Sequence, residues 1–212
     1  TAFILRRLAI MLSILLMVSF CLGRIRIVRH ESPFNKNSNE EARSLVTQAI
    51  SADRSQPAFH TLNGFILLRK DQDSEARRSF QHALSIDPNY QPALRGMGVV
   101  EYFSRNYNQG IDYLRKGLTL FPEDIPSRYF LGVSYYKTAS YRSAIEQLKE
   151  FAEAQPKHPR IHGILGECYE RVGDLQSAYN EYTLQTQIDP NSEIGKYSAT
   201  RASAIRSSVR QR

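Results

Sequence analysis

The feature that most limits what this chain can fold into is a beat of thirty-four residues. Pro88, Pro122, Pro156 and Pro190 stand at that interval, four of the nine prolines in 212 residues. Gly64, Gly98, Gly132 and Gly166 keep the same interval, as do Ala76, Gly110, Ala144 and Ala178. Proline cannot continue a helix, because its ring removes a donor and collides with the preceding turn, so each one punctuates a unit. Glycine inside a helix costs about 1 kcal/mol against alanine, so four at one register position imply a close approach of neighbouring helices. The expectation is that these glycines occupy matching spots between adjacent helix hairpins.

From Pro57 the chain divides into blocks 57–90, 91–124, 125–158 and 159–192. Each holds two amphipathic stretches of helix length around a short polar turn, such as "RKDQDS" at 69–74 or "RVGD" at 171–174. Large residues fill the places between the small ones. Leu131 and Leu165 precede the glycine, Tyr135 and Tyr169 follow it, and Phe80, Leu114, Leu148 and Tyr182 recur in the second stretch. Ahead of the blocks, 31–56 reads as a polar linker and a half-repeat, with Ser38 and Glu41 forming a capping box that starts a helix through about Ala52. Behind them, Ile194, Tyr197, Ala202, Ile205 and Val209 share one face of 193–212. That stretch is predicted to be a helix that caps the last unit and offers its arginines to solvent.

The spacing of Leu-Gly, tyrosine, alanine, an aromatic or leucine, and proline resembles the tetratricopeptide repeat (TPR). The resemblance covers 57–192 in four units, and the helix at 40–52 is similar to the second half of a fifth. It implies an all-α fold, a right-handed superhelical solenoid of helix hairpins, here with an N-terminal transmembrane helix and a C-terminal capping helix. Departures from the pattern are Gly110 and Gly117 in the second block, and Phe151 and Gln185 where a small residue is usual. A pentatricopeptide array, which would imply RNA, is disfavoured by the "DPN" endings at Asp87–Asn89 and Asp189–Asn191.

The resemblance further implies a concave face, lined mainly by first helices, that holds another polypeptide. The places that would face inward are Phe65, Arg95, Val99, Tyr102, Tyr129, Val133, Tyr136, Arg160 and Glu167. Some members of the family hold a terminal carboxylate with basic side chains. The matching places here are Thr61, Phe65, Gly96, Pro126 and Phe130, which cannot do so. The expected occupant is an apolar helix or extended segment gripped by rigid aromatics.

Charge supports a protein partner over nucleic acid. The net charge is +7, but nine of the 28 basic residues lie in 1–30 and 201–212, which contain no acid. The remaining 31–200 carries 19 basic residues against 21 acidic ones, so the body has no general attraction to a phosphate backbone.

Between Arg7 and Arg24 runs "LAIMLSILLMVSFCLG", residues 8–23, without a charge. As a helix it would span about 24 Å, short of a hydrocarbon core of about 30 Å, and flanking arginines can snorkel to make up the difference. A cleaved secretory signal ending at Gly23 is the competing reading; a retained single-pass anchor is the expectation. Arg6 and Arg7 on one flank tie with Arg24, Arg26 and Arg29 on the other. A short amino-terminal tail favours a domain on the periplasmic or lumenal side, while "RIRIVRH" favours the opposite.

No motif for chemistry stands out. Cys21 and Cys168 are too few and too far apart for a disulfide framework or a zinc site. His158 and His162 are four apart with no third ligand, which points to structural histidines. No catalytic residue, cofactor site or metal site is therefore assigned. The expected function is a non-enzymatic, membrane-anchored scaffold, either an assembly factor or an accessory subunit of a membrane protein complex. The alternative is a helper that holds clients transiently in secretion, pilus or cytochrome maturation.

Overall fold

A computed structural model describes residues 36–210 of the chain. Among the described residues there are ten α-helices and no strand: α1 (Lys36–Ala52), α2 (Pro57–Arg69), α3 (Asp73–Ile86), α4 (Gln91–Phe103), α5 (Tyr107–Leu120), α6 (Ile125–Lys137), α7 (Tyr141–Ala154), α8 (Ile161–Arg171), α9 (Leu175–Ile188) and α10 (Glu193–Arg210). Helices α2 to α9 pair as four hairpins, each second helix packs against the next first helix, and α10 closes on α9. Residues 8–23 lie outside the described residues. None of the described helices is long and apolar enough to cross a membrane.

Local chemistry sets the hairpin ends. Pro57, Pro92 and Pro126 sit in the first turn of α2, α4 and α6, where proline's fixed φ suits a helix and its missing N–H loses nothing. Inside each hairpin the chain reverses through one left-handed residue, again thirty-four apart: Asp71, Arg105, Ala139 and Gly173. Only the last is glycine, so the other three turns carry the steric cost of a side chain in that region. The backbone departs from the expected start of the first helix. Helix α1 already includes Lys36, which places Ser38 within the helix.

The core follows the same register. Phe80, Leu114, Leu148 and Tyr182 are all 0% exposed, as are Ala76, Ala144 and Ala178. A Cβ on Gly64, Gly98, Gly132 or Gly166 would come within 2.5, 2.3, 2.5 and 2.6 Å of Phe80, Leu114, Leu148 and Tyr182 respectively. The glycines do occupy equivalent places, but inside their own hairpins and not between neighbours. The large residue of each second helix reaches across to its own first helix, and the glycine admits it. Gly96 makes a contact between hairpins, since its Cβ would fall 2.3 Å from the Phe80 ring.

The departures from the pattern have physical explanations. Phe151 is fully buried against Tyr129 and His158, with ring centroids 4.9 and 5.2 Å away. Gln185 is fully buried as well: its Oε1 accepts from the Gly163 N–H at 3.0 Å and its Nε2 donates to the Pro159 carbonyl at 2.9 Å. Those two backbone groups would bond each other in a regular helix. The Gln185 amide stands between them, and α8 consequently starts at Ile161, leaving Arg160 as a non-helical cap with φ −137° and ψ −9°.

Polar side chains tie the joints ahead of the hairpins. The carbonyl of residue 54, or of the proline equivalent to it, is held each time: Arg54 by His60 Nε2 at 2.9 Å, Pro88 by Lys116 Nζ at 2.8 Å, Pro122 by an Arg128 guanidinium N–H at 2.5 Å, and Pro156 by His162 Nε2 at 2.9 Å. Two buried ion pairs add to this. Arg77 on α3 grips Glu101 on α4 with two bonds of 2.8 and 3.0 Å, and Arg95 on α4 meets Asp124, ahead of α6, at 2.6 Å.

The capping helix packs differently from the sequence expectation. Its buried stripe is Gly195, Ser198, Ala202 and Ile205, whereas Tyr197 is 46% exposed. Small residues win the contact because α10 comes very close: a Cβ on Gly195 would collide with the Asp189 carbonyl. Arg201 does not face open solvent but bonds the Glu170 carboxylate, which also accepts from the Tyr182 hydroxyl at 2.9 Å. The side chain of Val209 lies outside the described residues.

Candidate functional site

A cavity of about 160 Å³ opens where α4, α6 and α8 turn toward α10. Six residues expected to face inward line it: Tyr102, Tyr129, Val133, Tyr136, Arg160 and Glu167. Lys137, Gly163 and Ile164 join them from the same first helices, and Ile194 and Tyr197 arrive from α10. The three other expected residues are elsewhere and occupied. Arg95 is 7% exposed and committed to Asp124, which also accepts from Gln91 Nε2 at 2.6 Å. Phe65 packs edge-on against Phe80 beneath the Arg95 guanidinium, and Val99 is buried.

Aromatic contacts hold the walls in place. Tyr102 and Tyr129 both stack edge-on against Phe130, with centroids 5.6 and 5.4 Å away. The Tyr136 hydroxyl donates to Glu167 at 2.7 Å while Lys137 Nζ sits 5.3 Å from the Tyr136 ring centroid. Burial pushes the Tyr129 phenol up to about 12. Burial first, and then the Glu167 bond, also raise Tyr136 well above the ordinary tyrosine range. These phenols are protonated donors at neutral pH, so the cavity offers hydroxyls and cations on an apolar frame.

Neither histidine beside the cavity has metal-site geometry, and no cluster of three ligands occurs among the described residues. His162 spans the Pro156 carbonyl and Glu181 Oε2, the latter 2.6 Å from Nδ1. Two acceptors facing the two ring nitrogens favour the protonated ring, and the Glu181 bond is the main reason its pKa is raised. His158 is the opposite case. Its ring nitrogens are buried without partners, and burial, helped by Arg160 and His162, lowers it to about 4. Between pH 6.5 and about 4 the unfolded chain takes a proton that folded His158 refuses, so its contribution weakens as pH falls through that window. Replacing His158 with phenylalanine is expected to flatten the fall of the thermal midpoint across that window. Parallel midpoint curves for the two proteins would count against this assignment.

Cys168 is buried and its thiol is pushed up to about 12 by that burial, so it carries almost no thiolate at neutral pH. A wider recess of about 360 Å³ lies among α1, α2 and α3, lined by Arg43, Arg54 and Arg78. It lacks an aromatic frame, and Asn63 within it is already bonded to Ser79 at 2.9 Å.

The fold is a solenoid of helix hairpins of a single repeating kind. Residues 129–193 match the tetratricopeptide repeat family model. Among solved structures the chain is similar to YrrB, a TPR protein with an unusual peptide-binding site, at 19% identity and a TM-score of 0.65, covering 77% of this chain and 84% of that one. It is similar to PilF of Pseudomonas aeruginosa at 16% identity and a TM-score of 0.65, covering 80% and 82%. MamA from Desulfovibrio magneticus RS-1 follows at 21% identity and a TM-score of 0.63, covering 74% and 88%. No curated protein matches the chain. The family match covers the third and fourth hairpins, and the likeness to these structures shows a shared fold of stacked helix hairpins.

Proposed function

We propose that the protein is a scaffold without chemistry of its own, whose groove between α4, α6, α8 and α10 grips a segment of another polypeptide. The observation that carries this reading is the convergence of Tyr102, Tyr129, Tyr136 and Tyr197 on one cavity with Arg160, Lys137 and Glu167 at its edge. Tyrosine gives a large rigid contact area at low conformational entropy cost, and a few polar groups orient what binds. The peptide-binding site of YrrB, on a similar fold, is consistent with such a role.

The same reading takes residues 8–23 as a membrane anchor and the protein as an assembly factor or accessory subunit of a membrane complex. A periplasmic or lumenal domain fits a short amino-terminal tail. The test is cross-linking of the full chain in intact membranes, comparing wild type with a variant carrying Tyr102→Ala and Tyr136→Ala. Partner capture is expected to fall at least about tenfold, the equivalent of about 1.4 kcal/mol, while the helical signal stays. Unchanged capture would remove the groove from the account. Partners that stay stoichiometric through high salt favour the subunit version, and recovery of the chain alone favours a transient helper.

A further inference from the structure

The cavity is not electrically neutral. Arg160 and Lys137 line it, and neither has a carboxylate partner among the described residues. The carboxylate in the cavity, Glu167, is already engaged by the Tyr136 hydroxyl at 2.7 Å and by Arg171 at 3.7 Å. Arg160 is placed there by a local break in the repeat. The earlier hairpins carry Ala58, Pro92 and Pro126 at its register position. In the fourth hairpin the Gln185 amide holds open the first turn of α8, and Arg160 becomes the residue ahead of the helix. Its guanidinium is near enough to the Tyr102 and Tyr129 phenols to oppose the effect of burial on both. The amino end of α8 adds its positive partial charge on the same side.

Resting on the groove reading above, we propose that this cavity receives a carboxylate side chain from a partner's apolar segment, with the carboxylate against Arg160 and the hydroxyls of Tyr102 and Tyr129. Flanking apolar residues of the segment lie on Val133, Ile164 and Ile194. Charge complementarity selects this occupant over the chain's own leader. Residues 1–30 bring five arginines and no acid, so the leader would set like charges against Arg160 and Lys137. A guanidinium suits a carboxylate because its planar fork matches two oxygens at once.

The test is selection of displayed short random peptides on the full chain in detergent, in parallel on the Arg160→Gln and Tyr136→Ala variants. Wild type is expected to enrich peptides with a central Asp or Glu between apolar residues. For a selected peptide, changing that acid to its amide should weaken binding at least about tenfold, and Arg160→Gln should abolish the difference. Enriched peptides without an acid, or an acid preference that survives in Arg160→Gln, would overturn the inference and leave the groove reading intact. Absence of enrichment, or enrichment indifferent to Tyr136→Ala, would remove the groove reading and the inference with it. Displacement of selected peptides by a peptide of residues 1–30, or by added unlabelled chain, would assign the cavity to the leader or to a second copy and overturn the carboxylate assignment.

Discussion

Replacing Arg77 with alanine is expected to destabilise the array by about 3–5 kcal/mol, the usual range when one partner of a buried ion pair is removed. Glu101 makes the case unequal between the two partners. Its side chain is 2% exposed, whereas that of Arg77 is 30% exposed and can turn to water. Without Arg77 the carboxylate keeps the Asn106 amide at 2.9 Å and nothing else among its present partners. Glu101→Gln retains the shape and removes the charge, so it should cost less than Arg77→Ala. Urea unfolding of both variants at neutral pH measures the difference, and a loss for Arg77→Ala below about 1 kcal/mol, the value of an exposed pair, would refute the assignment. Amide exchange should quicken first along α3 and α4, because the pair joins the first hairpin to the second.

Phe80→Ala is expected to have a comparable effect, about 3–5 kcal/mol, through lost burial and the cavity left behind. The ring is fully buried between Gly64 of its own hairpin and Gly96 of the next, with Phe65 edge-on at 5.0 Å. Overfilling the same space is the converse test. Gly96→Ala would bring a methyl within 2.3 Å of that ring, and about 1–3 kcal/mol is the ordinary cost of such crowding. The two lesions should not add. Phe80→Leu shortens the side chain where Gly96→Ala lengthens one, so the double variant should be more stable than the sum of the singles allows. Strict additivity in urea unfolding would show that the two residues do not share the space.

The array was legible because it is written in small and large residues at a fixed interval, which a single chain displays without ambiguity. What remained hidden was the partner each small residue serves. Gly64 and Gly98 look alike in the sequence, and only geometry shows that each faces its own second helix while Gly96 faces a neighbour's. Tyr102, Tyr129 and Tyr136, named by register, do line one cavity together. Arg95 was misplaced because its counter-ion, Asp124, lies 29 residues away along the chain. Tyr197 was assigned to the packed side of α10 because it is apolar in bulk. The contact went instead to Gly195 and Ser198, whose value is smallness, and a hydrophobicity pattern does not register that. Gln185 was noticed as a misfit, and a buried amide that interrupts a helix turn explains why a polar residue is there.

The tied carbonyls at the joints have a consequence for how such an array can be rearranged. Each donor, His60, Lys116, Arg128 or His162, belongs to the hairpin that follows the carbonyl it holds. A hairpin cut out and inserted at another position would bring its own fastening to whatever backbone precedes it, with no matching change required upstream. Imidazole, ammonium and guanidinium therefore do the same job at successive joints, whereas the Arg77–Glu101 pair and the Phe80–Gly96 contact bind the first hairpin to the second alone and would have to travel together.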